Sequence, residues 1–512
     1  MVARVKTFAF SGIEVIPVDV QVHISSSGMP MFNIVGLADK AVGESKERVR
    51  AAMNSLGLSL PPDRITVNLA PADIQKEGSH FDLPIALGLL VAIGVLKQED
   101  IEQYFVLGEL SLDGSLARIS GVLPAAIAAN SYNKGIICPA DNGSEAAFAG
   151  DGLDIVAPRN LLALSNHFRG NQLIERPKII EQLDEEAYPD MSDIKGQEVA
   201  KRALEIAAAG GHNMLMIGPP GSGKSMLAQR LGGLLPQLTA KEMLESSVIN
   251  SIAGNIIGGR LKRQRPFRAP HHSCSMPALV GGGTKAKPGE ITLAHHGVLF
   301  LDELPEFSRQ VLDSLRQPLE TKNVTVSRVH AHVTYPANFQ LVAAMNPCRC
   351  GYFDDAARAC NKVPRCAVDY QSKISGPLFD RIDIFVEVPE VKPADIMKAQ
   401  NNRAETSKQI AARVAKARKI QEERYEGTGV FVNARADGEL LDKVATPDDK
   451  GKNMLLRAVE QMGISMRGHN RVLRVARTIA DLEGADRVEL AHVAEALSYR
   501  QLNPREQLKK AV

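Results

Sequence analysis

The sequence predicts an α/β protein in three parts: a mixed α+β front part, a core built on a parallel sheet with helices on both faces, and a helical carboxyl-terminal part. Three observations predict this class. Strand-like and helix-like patterns alternate through the first 170 residues. A glycine-rich loop joins a short apolar strand to a helix at 218–225. Amphipathic helical patterns fill the chain from Pro393 onward.

Length and composition bound the possibilities. A chain of 512 residues has room for two to four domains. Its 61 basic residues are balanced by 59 acidic ones, so any contact with a polyanion must come from a local patch. The longest apolar run, Leu83 to Leu96, is too short to cross a bilayer, and no apolar segment follows Arg4 and Lys6 as in a signal peptide. We therefore expect a cytoplasmic protein with no membrane partner.

Residues 1–170 are predicted to form the first domain. An alternating strand lies within 15–24, a helix spans 39–56, a strand spans 65–69 and a buried helix spans 83–96. The segments Val67-Asn68-Leu69-Ala70-Pro71-Ala72, Lys76-Glu77-Gly78, Gly108-Glu109-Leu110 and Gly121-Val122-Leu123 resemble the proteolytic (S5-type) domain of Lon proteases. The resemblance implies an α+β fold and raises the question of a Ser/Lys dyad.

The dyad positions hold the wrong residues for a peptidase. Alignment on the Lys76-Glu77-Gly78 segment places His80 where the nucleophilic serine is expected, and Ser79 lies one residue early. Leu123 stands where the general-base lysine is expected. A leucine cannot accept a proton, and a serine without a base is a weak nucleophile. We expect a scaffold or binding module here, because function is argued from the site and not from the fold.

Composition marks the remaining boundaries. Residues 171–190 are polar and acidic, as is typical of a linker. The core is predicted over 191–392, and a helical lid over 393–512.

A phosphate-binding loop is the strongest motif in the chain. It reads Gly218, Pro219, Pro220, Gly221, Ser222, Gly223, Lys224, Ser225, which fits G-x-x-x-x-G-K-[ST] between a strand at 213–217 and a helix at 226–231. The glycines let successive backbone N–H groups face a phosphate. Lys224 is predicted to meet the β- and γ-phosphates of ATP, and the Ser225 hydroxyl to hold Mg²⁺.

Two further apolar strands end in polar residues that suit the same chemistry. The run 297–301 is followed by Asp302, predicted to hold Mg²⁺, and Glu303, predicted to orient or deprotonate the attacking water. The run 339–345 is followed by Asn346. Since parallel strands deliver their carboxyl ends to one edge, we expect these residues beside the phosphate loop.

Several segments resemble AAA+ ATPases. Asp193-Ile194-Lys195-Gly196-Gln197 is similar to the segment that closes over adenine, and Asn346 to the sensor-1 asparagine. Leu378-Phe379-Asp380-Arg381-Ile382-Asp383 resembles the L-x-D-R-[FI]-D motif of the chelatase and MCM branch, which implies that Arg381 is an arginine finger toward a neighbouring subunit's ATP. The alternative is an Arg381–Asp383 surface ion pair. By position, Arg467 is the first candidate for sensor 2 and Arg471 the second.

The chain as a whole resembles the YifB/ComM family of bacterial AAA+ proteins. A long insertion over 245–290, a hairpin over 323–333 and the Lon-like front domain carry this resemblance. It implies a homo-hexameric ring and a DNA motor, a helicase that promotes branch migration when incoming DNA is integrated in natural transformation. Single-stranded or branched DNA is then the expected partner.

The insertion offers a possible contact for that DNA. Five cations lie within nine positions, Arg260, Lys262, Arg263, Arg265 and Arg268, and could neutralise phosphates of a threaded strand. A solvated charged loop is the alternative. The chain has no tryptophan, so base stacking is not expected to be the main grip.

Two clusters raise a question of metals. Four cysteines, Cys348, Cys350, Cys360 and Cys366, could hold a structural Zn²⁺, although the C-x-C spacing departs from paired C-x₂-C and unligated thiols are the alternative. The pairs His271-His272 and His295-His296 lack the spacing of a helical metal motif, and we predict no metal there.

Other functions remain open at this stage. A MoxR-like or chelatase-like chaperone that remodels proteins would use the same ATP site. A magnesium-chelatase motor subunit would also use it, but a Lon-like front domain argues against that assignment. A scaffold without enzymatic activity is the third possibility.

Overall fold

A computed structural model describes residues 2–26, 29–179, 188–283, 286–327, 332–353, 357–391 and 404–501. The predicted linker lies partly outside this range, as do the tip of the 323–333 hairpin and the boundary predicted at 392/393. Among the described residues, no helix combines the length and the apolar character needed to cross a membrane.

The described residues of the amino-terminal part contain nine strands, seven of which form one sheet with helices packed on it. Its strands are β1 (Val2–Ser11), β2 (Glu14–Ser25), β3 (Met31–Val35), β4 (Arg64–Ala70), β5 (Tyr104–Val106), β6 (Glu109–Leu110), β7 (Leu116–Ala117), β8 (Gly135–Ile137) and β9 (Ile155–Val156). Its helices are α1 (Lys40–Ser55), α2 (Asp82–Ala92), α3 (Gln98–Ile101), α4 (Val122–Ser131), α5 (Gly143–Ala147) and α6 (Leu161–Phe168). The sheet order is β3-β4-β2-β1-β5-β8-β9, and β6 pairs with β7.

The elements expected from the sequence are present here, with one helix shorter than predicted. α2 ends at Ala92, whereas the apolar run suggested a helix to Leu96. Gly94 takes a left-handed conformation at φ +76°, and the backbone N–H groups of Val95 and Leu96 both turn back to the Leu90 carbonyl. This hydrogen bonding ends the helix while its apolar side chains stay buried.

The central part is built on a five-stranded parallel sheet. Its strands are β10 (Met214–Ile217), β11 (Phe267–Arg268), β14 (Val298–Leu301), β17 (Gln340–Met345) and β18 (Ile384–Glu387), with two small hairpins, β12 (Gly281–Gly282) with β13 (Lys287–Pro288) and β15 (Asn323–Ser327) with β16 (His332–Pro336). Its helices are α7 (Glu198–Gly210), α8 (Lys224–Arg230), α9 (Ala240–Ala253), α10 (Met276–Val280), α11 (Glu290–Leu293), α12 (Arg309–Ser314), α13 (Arg316–Thr321), α14 (Arg365–Gln371) and α15 (Gly376–Phe379).

The order of the large sheet is β11-β14-β17-β10-β18. All four of its pairings are parallel. The carboxyl ends of β10, β14 and β17 therefore meet at one edge, and the amino ends of β10 and β18 meet at the opposite edge. Because β10 has four residues, the two edges are about 13 Å apart. Buried apolar clusters cover both faces of the sheet.

The carboxyl-terminal part is helical, as predicted. It comprises α16 (Ser407–Arg424), α17 (Gly438–Ala445), α18 (Asp449–Met462), α19 (Met466–Glu483) and α20 (Leu490–Gln501). Its buried residues share one apolar cluster with α7 and with the sheet. A cap joins this part to the core, because the Asp190 carboxylate accepts from the Ser407 backbone N–H at 3.2 Å.

The amino-terminal part docks on α9 of the central part. The Ser251 hydroxyl donates to the Glu145 carboxylate, and the Gly121 backbone N–H donates to the Ser251 carbonyl at 3.0 Å. Leu123 is fully buried and packs in a small apolar cluster with Ile256 and Leu261. The leucine that stands at the expected general-base position is thus part of a contact between the two parts.

Candidate functional site

The phosphate loop follows β10 and has the backbone that its glycines require. Gly221 and Gly223 have φ values of +76° and +91°, which side-chain-bearing residues rarely adopt. Gly218 has no room for a side chain, since a Cβ there would lie 2.0 Å from the Val388 carbonyl oxygen. The loop runs directly into α8, which begins at Lys224.

Lys224 is held inside this loop. Its ammonium donates to the Gly218 and Pro219 carbonyls, each at 2.8 Å, and to the Asn346 side-chain oxygen at 3.2 Å. The residue is buried, and burial lowers the pKa of its ammonium. The charge is therefore oriented toward the turn of the loop.

Ser225 and Asp302 come together as the sequence predicts. Asp302 follows β14, and its carboxylate accepts from the Ser225 hydroxyl at 2.5 Å. A hydroxyl and a carboxylate are hard oxygen ligands, which Mg²⁺ prefers together with substrate phosphates. The donor set at this position suits Mg²⁺.

Glu303 has a strained backbone. Its φ of +51° and ψ of +47° lie in the left-handed region, which costs a non-glycine residue roughly 1–3 kcal/mol. Such strain clusters at functional sites. The Glu303 carboxylate lies 3.4 Å from the His272 Nδ1, a contact that sequence reasoning did not suggest.

Asn346 lies at the end of β17, between β10 and β14 in the sheet. Its side chain contacts Lys224 at 3.2 Å, and its backbone N–H lies beside the Tyr370 hydroxyl. The polar residues predicted for the carboxyl edge are therefore brought together there.

The segment before α7 is tied to the phosphate loop through Gln197. The Gln197 side-chain amide donates to the Pro389 carbonyl at 2.5 Å and to the Ser222 carbonyl at 3.5 Å. Ile194 is buried in the same apolar cluster as Met191. Its predicted contact with adenine stays a prediction.

Arg381 lies at the opposite edge of the sheet, just before β18. Its guanidinium pairs with Glu320 and donates to the Pro377 carbonyl at 2.5 Å. Burial lowers the pKa of this guanidinium, and the nearby charges of Arg316, Arg467 and Arg471 add to the effect. Arg381 thus lies about one strand length away from the phosphate loop of its own chain.

Arg467, predicted to bind nucleotide, also lies at this edge. It lines a cavity of about 380 Å³ that collects six basic side chains, Lys322, Arg381, Arg435, Arg467, Arg471 and Arg474, and four acidic ones, Glu320, Asp380, Asp383 and Asp437. We name this group the arginine face. No phosphate-loop residue lines it.

The predicted alternative for Arg381, a surface ion pair with Asp383, is wrong. Asp383 is buried and pairs with Arg471 instead. Burial alone would raise the pKa of Asp383, but the Arg471 charge and the nearby His212 ring, 3.7 Å away, hold it well below its usual range. The Asp383 carboxylate also accepts from the Asn213 backbone N–H at 2.9 Å, which anchors the amino end of β10.

The basic insertion is not one free patch. Arg265 pairs with Glu242 at 2.9 Å and donates to the Pro236 and His296 carbonyls, each at 2.8 Å. Arg268 pairs with Glu290 at 2.6 Å. These two guanidiniums hold the insertion together, because each has a carboxylate partner supplied by the surrounding structure.

The other three cations, Arg260, Lys262 and Arg263, are exposed. Exposed cations of this kind can contact a polyanion.

The second histidine pair has a carboxylate neighbour that its sequence does not reveal. Glu245 lies 2.6 Å from the His296 Nε2 and 3.4 Å from the His295 Nε2. Burial and the neighbouring His296 lower the pKa of His295 to about 4. Fifty residues separate Glu245 from this pair, so spacing alone gave no signal.

Three of the four cysteines are close together. The Cys348, Cys350 and Cys366 thiols lie within 4.8 Å of one another, and Cys360 is a neighbour of Cys350 and Cys366. Hydrogen bonds from the Tyr352 backbone N–H and the Cys348 thiol lower the pKa of Cys350 to about 6.

In the amino-terminal part, no dyad is formed by the predicted positions. The Ser79 hydroxyl donates to the Glu109 carboxylate, and the His80 ring hydrogen-bonds the Phe8 carbonyl at 2.9 Å. The residue at the expected lysine position is the buried Leu123. The resemblance to Lon proteases stays a prediction of fold.

The parallel sheet, its phosphate loop and the polar residues at its carboxyl edge define a magnesium-chelatase-like AAA+ protein. Residues 190–396 match the family described as magnesium chelatase, subunit ChlI. Residues 20–142 match subunit ChlI of Mg-chelatase, and residues 404–500 match the carboxyl-terminal family of that subunit.

Proteins that are similar over most of their length identify the family within this class. The competence protein ComM of Haemophilus influenzae is 44% identical over 505 residues, which cover 97% of each chain. YifB of Escherichia coli is 42% identical over 499 residues, 98% of this chain and 97% of that protein. The magnesium-chelatase 38 kDa subunit of Rhodobacter capsulatus is 26% identical over 331 residues, 60% of this chain and 87% of that protein. The chain belongs to the YifB/ComM family, and this membership implies the use of ATP and Mg²⁺.

Proposed function

We propose that this protein is an ATP-hydrolysing ring motor that acts on DNA. The observation that carries the proposal is the separation of two charged sites on one sheet. The phosphate loop lies at the carboxyl edge, and Arg381 lies at the amino edge with the rest of the arginine face. Because one chain cannot bring both to the same phosphate, a second chain must supply the arginine.

Hydrolysis is assigned to the carboxyl edge. Glu303 orients the attacking water and takes its proton, since a carboxylate beside the nucleophile suits general-base catalysis. Asn346 hydrogen-bonds the water or the γ-phosphate, and Lys224 neutralises the phosphates. Ser225 and Asp302 hold Mg²⁺, which supplies neutralisation of the charge that builds up on the phosphates.

The ring follows from the arginine face. A guanidinium is always charged and forms a planar fork that matches phosphate oxygens, which suits transition-state stabilisation in trans. Arg381 fills this role, and Arg467 beside it assists from the lid. A closed homo-hexamer gives every phosphate loop such a neighbour.

DNA is the proposed substrate of the motor. The similar protein from Haemophilus influenzae is named a competence protein, which favours a role in the uptake or integration of DNA. The exposed side chains of Arg260, Lys262 and Arg263 supply phosphate contacts that do not depend on sequence. We infer a helicase that promotes branch migration during recombination.

A protein-remodelling chaperone is the second candidate. The 26% identity to the magnesium-chelatase 38 kDa subunit over 60% of this chain favours it. In this case ATP hydrolysis would respond to a partner protein and not to DNA.

The test is the ATP turnover of the whole chain with and without single-stranded or four-way-junction DNA, at low and moderate salt. We expect stimulation that weakens with salt. A variant with Arg260, Lys262 and Arg263 changed to alanine should lose the stimulation and keep the basal rate. Changing Lys46, Arg50 and Lys97, three exposed cations of the amino-terminal part, is the matched control. Turnover indifferent to every DNA, but raised by an unfolded protein, would favour the chaperone.

A further inference from the structure

The cysteine cluster (Cys348, Cys350, Cys360 and Cys366) is brought together from two segments of the chain. Cys348 and Cys350 belong to the loop after β17, and Cys366 belongs to α14. The Cys348 and Cys350 sulfurs are 3.1 Å apart. Cys360 is a neighbour of Cys350 and Cys366 at the edge of this group, and none of the four cysteines is in a disulfide.

Backbone hydrogen bonds hold both segments of the cluster. The Gly351 N–H donates to the Cys348 carbonyl at 3.0 Å, and the Cys366 N–H donates to the Lys362 carbonyl at 2.9 Å. Such bonds fix the directions of the cysteine side chains, which is the support that metal-binding cysteines need from their surroundings.

We propose that the cysteine cluster binds one Zn²⁺ ion and that this ion braces the polar end of the sensor strand β17. Four soft ligands close the tetrahedral shell of zinc, so the site is structural and has no position left for substrate. With zinc–sulfur bonds of about 2.3 Å, the sulfurs of a tetrahedron stand about 3.8 Å apart. Three of these sulfurs already lie within 4.8 Å of one another.

The path from the ion to the ATP site runs along α14. Cys366 and Tyr370 are four residues apart on this helix and therefore lie on one face. The Tyr370 hydroxyl lies beside the Asn346 backbone N–H. The next residue, Gln371, donates to the Pro347 carbonyl at 2.8 Å. Through these contacts, fixing Cys366 also fixes the position of Asn346.

The segment that carries Cys348 and Cys350 lies against the phosphate loop. Gly351 has a φ of +87°, and a Cβ at this position would lie 2.5 Å from the Pro220 Cδ. The loop that carries Cys348 and Cys350 therefore packs on the phosphate loop without space for a side chain. The bracing role rests on the proposed function, because it requires the phosphate loop to bind and hydrolyse ATP. The binding of zinc does not depend on that function.

The test begins with the metal content of the full chain purified without chelators. We expect about one zinc per chain for the native protein. The same content is expected for Cys274→Ser, which removes a partly buried thiol outside the cluster. Cys350→Ser and Cys366→Ser should each lose the metal.

Cobalt gives a readout that needs no variant. Replacing the metal of the native chain with Co²⁺ should produce the intense visible bands of tetrahedral thiolate coordination. A metal-free chain with six titratable thiols in the presence of added zinc would overturn the proposal. A disulfide between two members of the cluster in the freshly purified chain would overturn it equally.

ATP turnover tests the bracing role separately. For Cys366→Ser we expect turnover to fall about tenfold or more because Asn346 is displaced, while a fluorescent ADP analogue still binds. Unchanged turnover in a zinc-free Cys366→Ser chain would overturn the bracing role. If the native chain contains zinc but never hydrolyses ATP, the proposed function fails and the zinc site stands.

Discussion

The two edges of the central sheet handle charge in opposite ways. At the carboxyl edge, Lys224 is satisfied by carbonyls of its own loop, and Ser225 bonds Asp302. At the amino edge, six basic side chains share a cavity with four acidic ones, an excess of two positive charges. The charged groups of the carboxyl edge have partners within the chain, whereas the amino edge carries an excess of positive charge.

This difference separates binding from catalysis. A chain by itself has the groups that hold ATP and Mg²⁺ but lacks a cation for the charge that develops in the transition state. The arginine face of a neighbour supplies that cation. Assembly of the ring is therefore expected to control hydrolysis while leaving nucleotide binding to the single chain.

The largest effect is expected at the amino edge. Arg381→Ala should lower ATP turnover by roughly 10³-fold, since a missing arginine finger removes stabilisation of the transition state. Arg381→Lys should not restore the rate, because an ammonium lacks the planar fork. Turnover and fluorescent-nucleotide binding, measured together, check both statements.

The control is Arg50→Ala, which removes an exposed cation from α1 of the amino-terminal part. Its turnover should match the native chain. Full activity in Arg381→Ala would break the comparison, because the amino edge would then have no part in hydrolysis.

At the carboxyl edge, Glu303→Gln should keep ATP binding and reduce turnover by about 10²-fold, the lower end of the usual contribution of a general base. The matched control is Glu306→Gln, a carboxylate three residues on that pairs with Lys373 at 3.5 Å. Turnover of Glu303→Gln equal to that of the native chain would show that Glu303 is not the general base.

The buried ion pair between Asp383 and Arg471 in the arginine face is expected to contribute to stability. Asp383→Asn leaves Arg471 without its buried partner and should lower the free energy of unfolding by roughly 3 kcal/mol. Asp380→Asn, in the same cavity but less buried, is the control and should cost much less. Thermal unfolding of the three chains measures the difference, and equal midpoints would contradict the account.

The carboxylate of Asp383 also predicts a dependence on pH. Its pKa is held below the unfolded value, so its contribution to stability is present above the ordinary pKa of an aspartate and is lost as the pH falls below it. The midpoint of native unfolding should fall on acidification below about pH 4, and Asp383→Asn should show a smaller fall. Parallel pH profiles of the two chains would count against this assignment.

The smallest effect is expected at His272. Its ring lies 3.4 Å from the Glu303 carboxylate, so His272→Ala should free this group and raise basal turnover by up to about fivefold, the upper end for a partly exposed polar contact. His271→Ala is the control, since His271 contacts Ser273 and not Glu303. A rate for His272→Ala equal to that of the control would show that this contact does not restrain Glu303.

The carboxyl edge was predictable from sequence because its residues follow apolar strands. Parallel strands bring their ends to one edge, so Lys224, Asp302 and Asn346 could be placed together from their positions alone. The left-handed backbone of Glu303 was not predictable, because no glycine marks it.

The amino edge was less predictable because burial decides it. Asp383 lies two residues after Arg381, and this spacing suggested a surface pair that the structure does not form.

The insertion was also less predictable. The sequence suggested that Arg265 and Arg268 were free cations, but each has a carboxylate partner more than twenty residues away. Contacts between distant segments leave no local pattern in the sequence. The contacts of Glu245 with the histidine pair and of His272 with Glu303 were not predictable for the same reason.

The most direct test of the central claim mixes two inactive chains. Lys224→Ala lacks a working phosphate loop but keeps Arg381, and Arg381→Ala has the opposite defect. If the carboxyl edge of one chain and the amino edge of its neighbour form one site, some interfaces in a mixed ring contain both a native Lys224 and a native Arg381. Turnover of the mixture should then rise at least about tenfold above that of either variant alone. A mixture no more active than the sum of its parts, with exchange of subunits demonstrated, would contradict a site shared between neighbouring chains.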